Sequence, residues 1–348
     1  MSFKVVNVFG APGMSFKEGE DLVVKQGGEC FLTFCSSEDE IATAAADADA
    51  IVGVFTGGTQ TLSAKTIEKL TRLKHISNMG IGYEGIDLKA ATANGVCVSN
   101  VPDYCLDEMA DHTIMLLLVL ARKLLPTIDA VRELKWNAGG RHTILAEILP
   151  PVFRLGGQTL GLIGFGHIPR AVVPRAKALK LRVIAYDPYI SADTMRKFDI
   201  ESTDMDTLLA KSDYVSLHAA LTETNKHMIS LSQFQKMKNT AFFINTARGG
   251  LVDERALYTA LTSGIIAGAA VDVLDPEPPA SDSPLLRLPN LIATPHVANY
   301  SCEAQSDITR MPYEEACRVL CNAWPRDIAF CNPEVKDKFI AKWGAKQT

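Results

Sequence analysis

The sequence predicts an α/β protein built from two doubly wound parallel sheets, each Rossmann-like or flavodoxin-like. Three observations predict it. Short apolar runs alternate with helical stretches in two separate series. A glycine-rich turn joins a strand to a helix at the head of the second series. The 348 residues suit two domains better than one.

In the first series Lys4–Phe9, Ala50–Phe55 and His75–Met79 read as strands and Ser63–Leu73 as a helix. A long helix is expected from Leu106 to Leu125, ended by Pro126 and apolar enough to be buried on most faces. The polar stretch Lys135–Pro151, with Gly139-Gly140 and Pro150-Pro151, reads as a connection. Six strands follow: Thr159–Ile163, Arg182–Tyr186, Tyr214–Leu217, Ala241–Asn245, Ala267–Val271 and Leu291–Ala293. The segment Cys302–Trp324 is expected to be helical apart from Pro312.

Composition narrows the function. A hydrophobic fraction of 47% with 22% charged residues is ordinary for a globular enzyme. A formal net charge of −5 argues against nucleic acid or an anionic membrane as partner. The N-terminus lacks a secretory pattern, and the longest apolar run, Ile114–Ala121, is too short to span a bilayer. The 8 cysteines form no CxxC pair. They read as reduced thiols of a cytoplasmic protein without a structural metal.

The sharpest motif runs from Leu160 to Pro169. Gly164 permits the tight turn, Gly166 lets the backbone approach a pyrophosphate, and His167 and Ile168 open a helix whose amides and dipole favour an anion. Pro169 replaces the usual third glycine, with the expectation of looser helix-to-strand packing. About 20 residues further on stands Asp187, where a ribose-binding acid belongs. No Arg or Lys follows it in Pro188-Tyr189-Ile190, which favours NAD over NADP. A lone glycine turn of this kind also occurs without a ligand, and Asp187 is what weights it toward one.

Arg248, Glu277 and His296 fall at the C-terminal ends of later strands, where open α/β sheets place their sites. Taken singly they read more readily as a surface arginine, an acidic turn and a loop histidine. Together, and in this order, they resemble the D-2-hydroxyacid dehydrogenase family. The resemblance also takes in Gly80–Asp87, Asn100-Val101-Pro102, Met109-Ala110-Asp111 and Asn332–Val335, so it covers most of the chain.

The resemblance implies NAD as cofactor and a small 2-keto or 2-hydroxy carboxylate as substrate. His296 would be the acid/base, and Glu277 would fix its tautomer and favour the imidazolium. Arg248 would grip the substrate carboxylate. Backbone amides around Gly80, Ile81 and Gly82 would form a second carboxylate cradle. Thr246, Ala247, His218 and Asp272 would line the cofactor, Asp272 holding the nicotinamide amide. His75, His112, His142, His227 and the His167 side chain are read as structural, and Trp136 and Trp324 as packing residues. Residues 1–103 with 305–348 are expected to form a discontinuous substrate domain and 104–304 the NAD domain, with a hinge that closes over substrate. A homodimer through the Leu106–Leu125 region is expected.

Among relatives the chain looks closest to a bacterial branch related to the C-terminal binding proteins, although Asn299 stands where those carry a tryptophan. Formate chemistry is disfavoured by Glu277. The candidate phosphate loop Phe55–Gln60 holds no arginine, though Arg141 or Arg154 could supply one. An NAD(H)-responsive binding protein with little turnover stays open as the alternative.

Overall fold

The computed structural model describes residues 2–9, 13–54, 61–136, 142, 144–149, 151–222 and 224–344. The loop 55–60, Arg141 and Gly139-Gly140, singled out above, lie outside the described residues. The chain divides into two compact units, Met1–Cys105 with Ser301–Thr348, and Leu106–Tyr300.

The first unit carries five parallel strands: β1 (Lys4–Asn7), β2 (Glu29–Leu32), β3 (Ala50–Val54), β4 (His75–Asn78) and β5 (Cys97–Ser99). Their order is β2-β1-β3-β4-β5, the flavodoxin-like winding. Val6, Ile51, Ile76 and Val98 are buried along the sheet beside Ile41, Ile67 and Leu73. β2 escaped the sequence reading although Cys30-Phe31-Leu32 are apolar, because it is a four-residue edge strand whose side chains are mostly exposed. β5 is three residues long, too short for a period to show.

The helix Cys302–Leu320 also belongs to this unit. It continues through Pro312, correcting the expected break, and it stops short of Trp324. Its Tyr313 hydroxyl accepts from Asn7 Nδ2 at 2.7 Å, fixing the helix to the end of β1. Trp324 packs as expected, stacked on Phe330 with centroids 5.8 Å apart.

The second unit carries β6 (Thr159–Ile163), β7 (Arg182–Tyr186), β8 (Glu201–Ser202), β9 (Tyr214–Leu217), β10 (Phe242–Asn245), β11 (Gly268–Val271) and β12 (Leu291–Ala293). All pair in parallel in the order β12-β11-β10-β9-β6-β7-β8. Successive side chains alternate between two cores. Val215, Leu217, Phe243 and Val271 face one, with Phe234 and Leu257. Leu160, Leu162, Ile244 and Ala270 face the other, with the helices Leu106–Ala121 and His167–Ala178. The winding reverses between β6 and β9, which opens a crevice at their carboxyl ends.

Three expectations need correction. The long helix ends at Ala121, and Lys123 adopts a left-handed φ of 47° before a second helix, Leu124–Arg132. Pro126 lies in the first turn of that second helix, where its missing N–H costs no hydrogen bond, so it starts a helix rather than stopping one. Burial of Leu106–Ala121 follows one broad face, leaving Asp107, Asp111 and Met115 exposed. Trp136 is 66% exposed and packs no core. No helix among the described residues is long and apolar enough to cross a membrane.

Phe243 is fully buried on β10 and meets Phe234 edge-on at 5.3 Å. Phe243→Ala should destabilise the second unit by about 3–5 kcal/mol. Urea unfolding followed by circular dichroism would show the transition moving to lower denaturant.

Candidate active site

The glycine turn lies at the carboxyl end of β6, where the sheet reverses. Gly164 adopts φ 94°, and a Cβ there would stand 2.9–3.0 Å from the His218–Ala219 backbone. Only glycine meets both conditions. Gly166 caps the helix His167–Ala178, and a Cβ on it would meet nothing within 4 Å. No side chain among the described residues caps that N-terminus. The amides of Gly166, His167 and Ile168 therefore remain for an outside acceptor, with the positive end of the helix dipole behind them. Pro169 is buried in the first turn, where no N–H is needed, and the helix runs on through Pro174 to Ala178. The expected loosening is not seen.

Asp187 follows β7, with Oδ2 accepting from the Phe165 amide and Oδ1 from the Tyr189 amide, both at 2.8 Å. It thus braces the glycine turn while each oxygen keeps acceptor capacity for a hydroxyl. His218 follows β9, its Nε2 2.9 Å from Ser216 Oγ. Burial holds its imidazole below the usual histidine range, so it is neutral at physiological pH.

After β10 the chain turns through Thr246, Ala247 and Arg248. Buried Asn245 braces the turn from both sides, its Oδ1 accepting from Ala247 N at 2.9 Å and its Nδ2 donating to Arg248 O at 3.0 Å. Arg248 Nη1 donates to Ala247 O at 2.8 Å. Gly249 then packs so tightly on the next loop that a Cβ would lie 2.0 Å from the Leu274 carbonyl. That contact brings the arginine turn against the segment carrying Glu277. The sequence reading passed over Asn245 and Gly249; a polar residue closing an apolar strand was the available signal.

Glu277 Oε1 accepts from Leu274 N at 3.0 Å, and Oε2 lies 2.7 Å from His296 Nδ1. Burial works to raise the Glu277 carboxyl. The His296 hydrogen bond, the Leu274 amide and the charges of His296 and Arg248 outweigh it, holding the group below the usual carboxylate range. An ionised Glu277 only accepts, so Nδ1 carries a proton toward it and Nε2 is left for chemistry. His296 has a left-handed φ of 54°, uncommon for a residue with a side chain. Its amide donates to Asp272 O at 2.8 Å.

The Asp272 carboxylate, 2% exposed, accepts from Thr294 Oγ1, from Val297 N at 3.0 Å and from Ala298 N at 2.9 Å. These contacts clamp the loop bearing His296. His112, read above as structural, reaches Thr294 Oγ1 at 3.2 Å and stands behind the same clamp. In the first unit the segment Gly80–Gly82 follows β4, with Gly80 at φ 149°.

The fold and the glycine turn define a dinucleotide-binding α/β protein. Residues 114–298 match the family model of the D-isomer specific 2-hydroxyacid dehydrogenase NAD binding domain. The chain is 38% identical to a glyoxylate reductase of Korarchaeum cryptofilum over 272 residues, covering 77% of this chain and 78% of that protein. It is 37% identical to a D-3-phosphoglycerate dehydrogenase of Archaeoglobus fulgidus over 292 residues, 84% of this chain but only 53% of the relative, about half its length. A solved structure from Pyrococcus horikoshii superposes with a TM-score of 0.85 at 26% identity, covering 100% of both chains. The chain belongs to the D-isomer specific 2-hydroxyacid dehydrogenase family, and its cofactor is a nicotinamide dinucleotide.

Two glycine variants separate cofactor contact from folding. Gly166→Ala should leave the melting temperature unchanged, since its methyl meets no atom of the described residues within 4 Å, while weakening NADH binding at least tenfold. Gly164→Ala should lower both. Fluorescence titration with NADH and a thermal melt would read the difference.

Proposed function

We propose that the chain is an NAD-dependent D-2-hydroxyacid dehydrogenase that reduces a small 2-keto acid. The observation that carries this reading is the 2.7 Å hydrogen bond between His296 Nδ1 and Glu277 Oε2, with Arg248 on the neighbouring turn. When bound, the nicotinamide supplies the hydride. Arg248 anchors the substrate carboxylate through its planar fork. His296 delivers a proton from Nε2 to the keto oxygen as negative charge develops there, and Glu277 stabilises the imidazolium beforehand. In oxidation the same imidazole takes the proton back.

The amides of Gly166, His167 and Ile168 take the pyrophosphate, and Asp187 takes the adenosine ribose and disfavours a 2′-phosphate. Thr246, Ala247, His218 and Asp272 are assigned to the cofactor, and Gly80, Ile81, Gly82 and Arg248 to the substrate. Relatives named glyoxylate reductase and D-3-phosphoglycerate dehydrogenase support a short keto acid. A homodimer belongs to the proposal, supported by exposed Met115, Leu124, Leu125 and Val131 on the helices Leu106–Ala121 and Leu124–Arg132.

The first test is NADH oxidation against glyoxylate, pyruvate, hydroxypyruvate and larger 2-keto acids, with NADPH in parallel. Saturable turnover with NADH is expected; cofactor binding without turnover on any member would overturn the enzyme reading. His296→Ala should keep NADH affinity and lose roughly two to four orders of magnitude in kcat, the range of general acid catalysis. Glu277→Gln removes the negative charge that faces His296 Nδ1. The rate of reduction should then fall earlier as pH rises, moving the optimum to lower pH. An unchanged profile would remove Glu277 from this role.

A further inference from the structure

Three consecutive carbonyls in the first unit are held by two buried side-chain amides. Asn78, the last residue of β4, donates from Nδ2 to Gly80 O at 3.1 Å and to Gly82 O at 2.6 Å. Asn100, just past β5, donates from Nδ2 to Ile81 O at 2.6 Å. The Val101 amide adds a second donor to Gly80 O at 3.1 Å. Asn78 is 0% and Asn100 6% exposed, so water does not compete for these bonds.

In a trans peptide the C=O and N–H point in opposite directions. Fixing the oxygens of residues 80, 81 and 82 therefore aims the amides of Ile81, Gly82 and Tyr83 away from the two asparagines. The left-handed φ of Gly80 starts the turn that allows this. Successive amides pointing to one side make an anion-binding concavity.

One detail shows what position 78 is kept for. Asn78 Oδ1 is buried with no hydrogen-bond partner among the described residues. A buried acceptor left unpaired is costly. Only an amide side chain brings two N–H donors on one nitrogen without a charge, whereas an ionised aspartate brings none. The position tolerates the unpaired oxygen and uses the donors.

We propose that Asn78 and Asn100 are positioning residues for substrate: they orient the Ile81–Tyr83 amides to receive a carboxylate oxygen, and so set affinity for the keto acid rather than the rate of hydride transfer. This rests on the reading that the Gly80–Gly82 turn binds the substrate carboxylate. Loss of either donor lets its peptide rotate, and an aspartate at 78 would set a carboxylate against the carbonyls and turn them away.

The test uses the full chain with saturating NADH and glyoxylate or hydroxypyruvate, whichever the parent reduces. Asn78→Ala and Asn78→Asp should raise KM at least tenfold, with kcat within about threefold and NADH affinity unchanged by fluorescence titration. The inhibition constant of oxalate, a dicarboxylate without a keto group, should rise by the same factor as KM. Asn100→Ala, which removes one bond, should act in the same direction by a smaller factor, and it carries the test if the Asn78 variants fail to fold. Folded variants with unchanged KM, or with kcat, KM and NADH affinity all damaged together, would overturn the proposal. A parent enzyme that reduces no keto acid would overturn the dehydrogenase reading itself, and the proposal with it.

Discussion

A single buried carboxylate organises the edge of the second unit that carries His296. Asp272 stands directly after β11 and accepts from Thr294, Val297 and Ala298, while its own carbonyl takes the His296 amide. A buried polar side chain is costly unless its hydrogen-bonding capacity is met, and here three donors meet it. Four contacts from one aspartate hold the loop after β12 in a shape that a histidine with positive φ would not keep unaided. The orientation of His296 toward Glu277 follows from that anchoring, so their hydrogen bond depends on a residue outside the pair.

The neighbouring turns are built by the same device. Asn245 closes β10 and fastens the Arg248 turn, Asp187 closes β7 and fastens the glycine turn, and Asn78 closes β4 and fastens Gly80–Gly82. In each case an acceptor or amide at or just past a strand's carboxyl end satisfies loop peptides that the sheet cannot reach. The sheet supplies rigid anchor points, and the short polar side chains turn them into defined loop shapes.

Much of this was legible in the sequence because it rests on local pattern. The six recognised strands of the second unit are runs of Val, Ile, Leu and Phe bounded by turn residues, and buried parallel strands leave that trace. Gly164 was legible because a tight turn at a strand end demands it. β8, with two residues, left no trace, and the short Cys30-Phe31-Leu32 run of the exposed edge strand β2 was passed over. Pro126 misled because proline both ends helices and opens them, and the deciding factor, the left-handed Lys123, has no signature. The Arg248, Glu277 and His296 set emerged from order along the chain. The Asp272 clamp, Gly249 packing and Asn78 bonds did not, since each depends on which loops lie side by side after folding.

Asp187 has a consequence for anyone wishing to retool the coenzyme choice. Under the proposed reading Asp187 is the ribose-binding acid, which the usual recipe exchanges for a small or basic residue. Here the same carboxylate also receives the Phe165 and Tyr189 amides, so the exchange would strip two backbone groups of their acceptor as well as removing a charge. A redesign has to return an acceptor to that spot, as serine or asparagine could, before any basic residue added nearby can act on an intact turn.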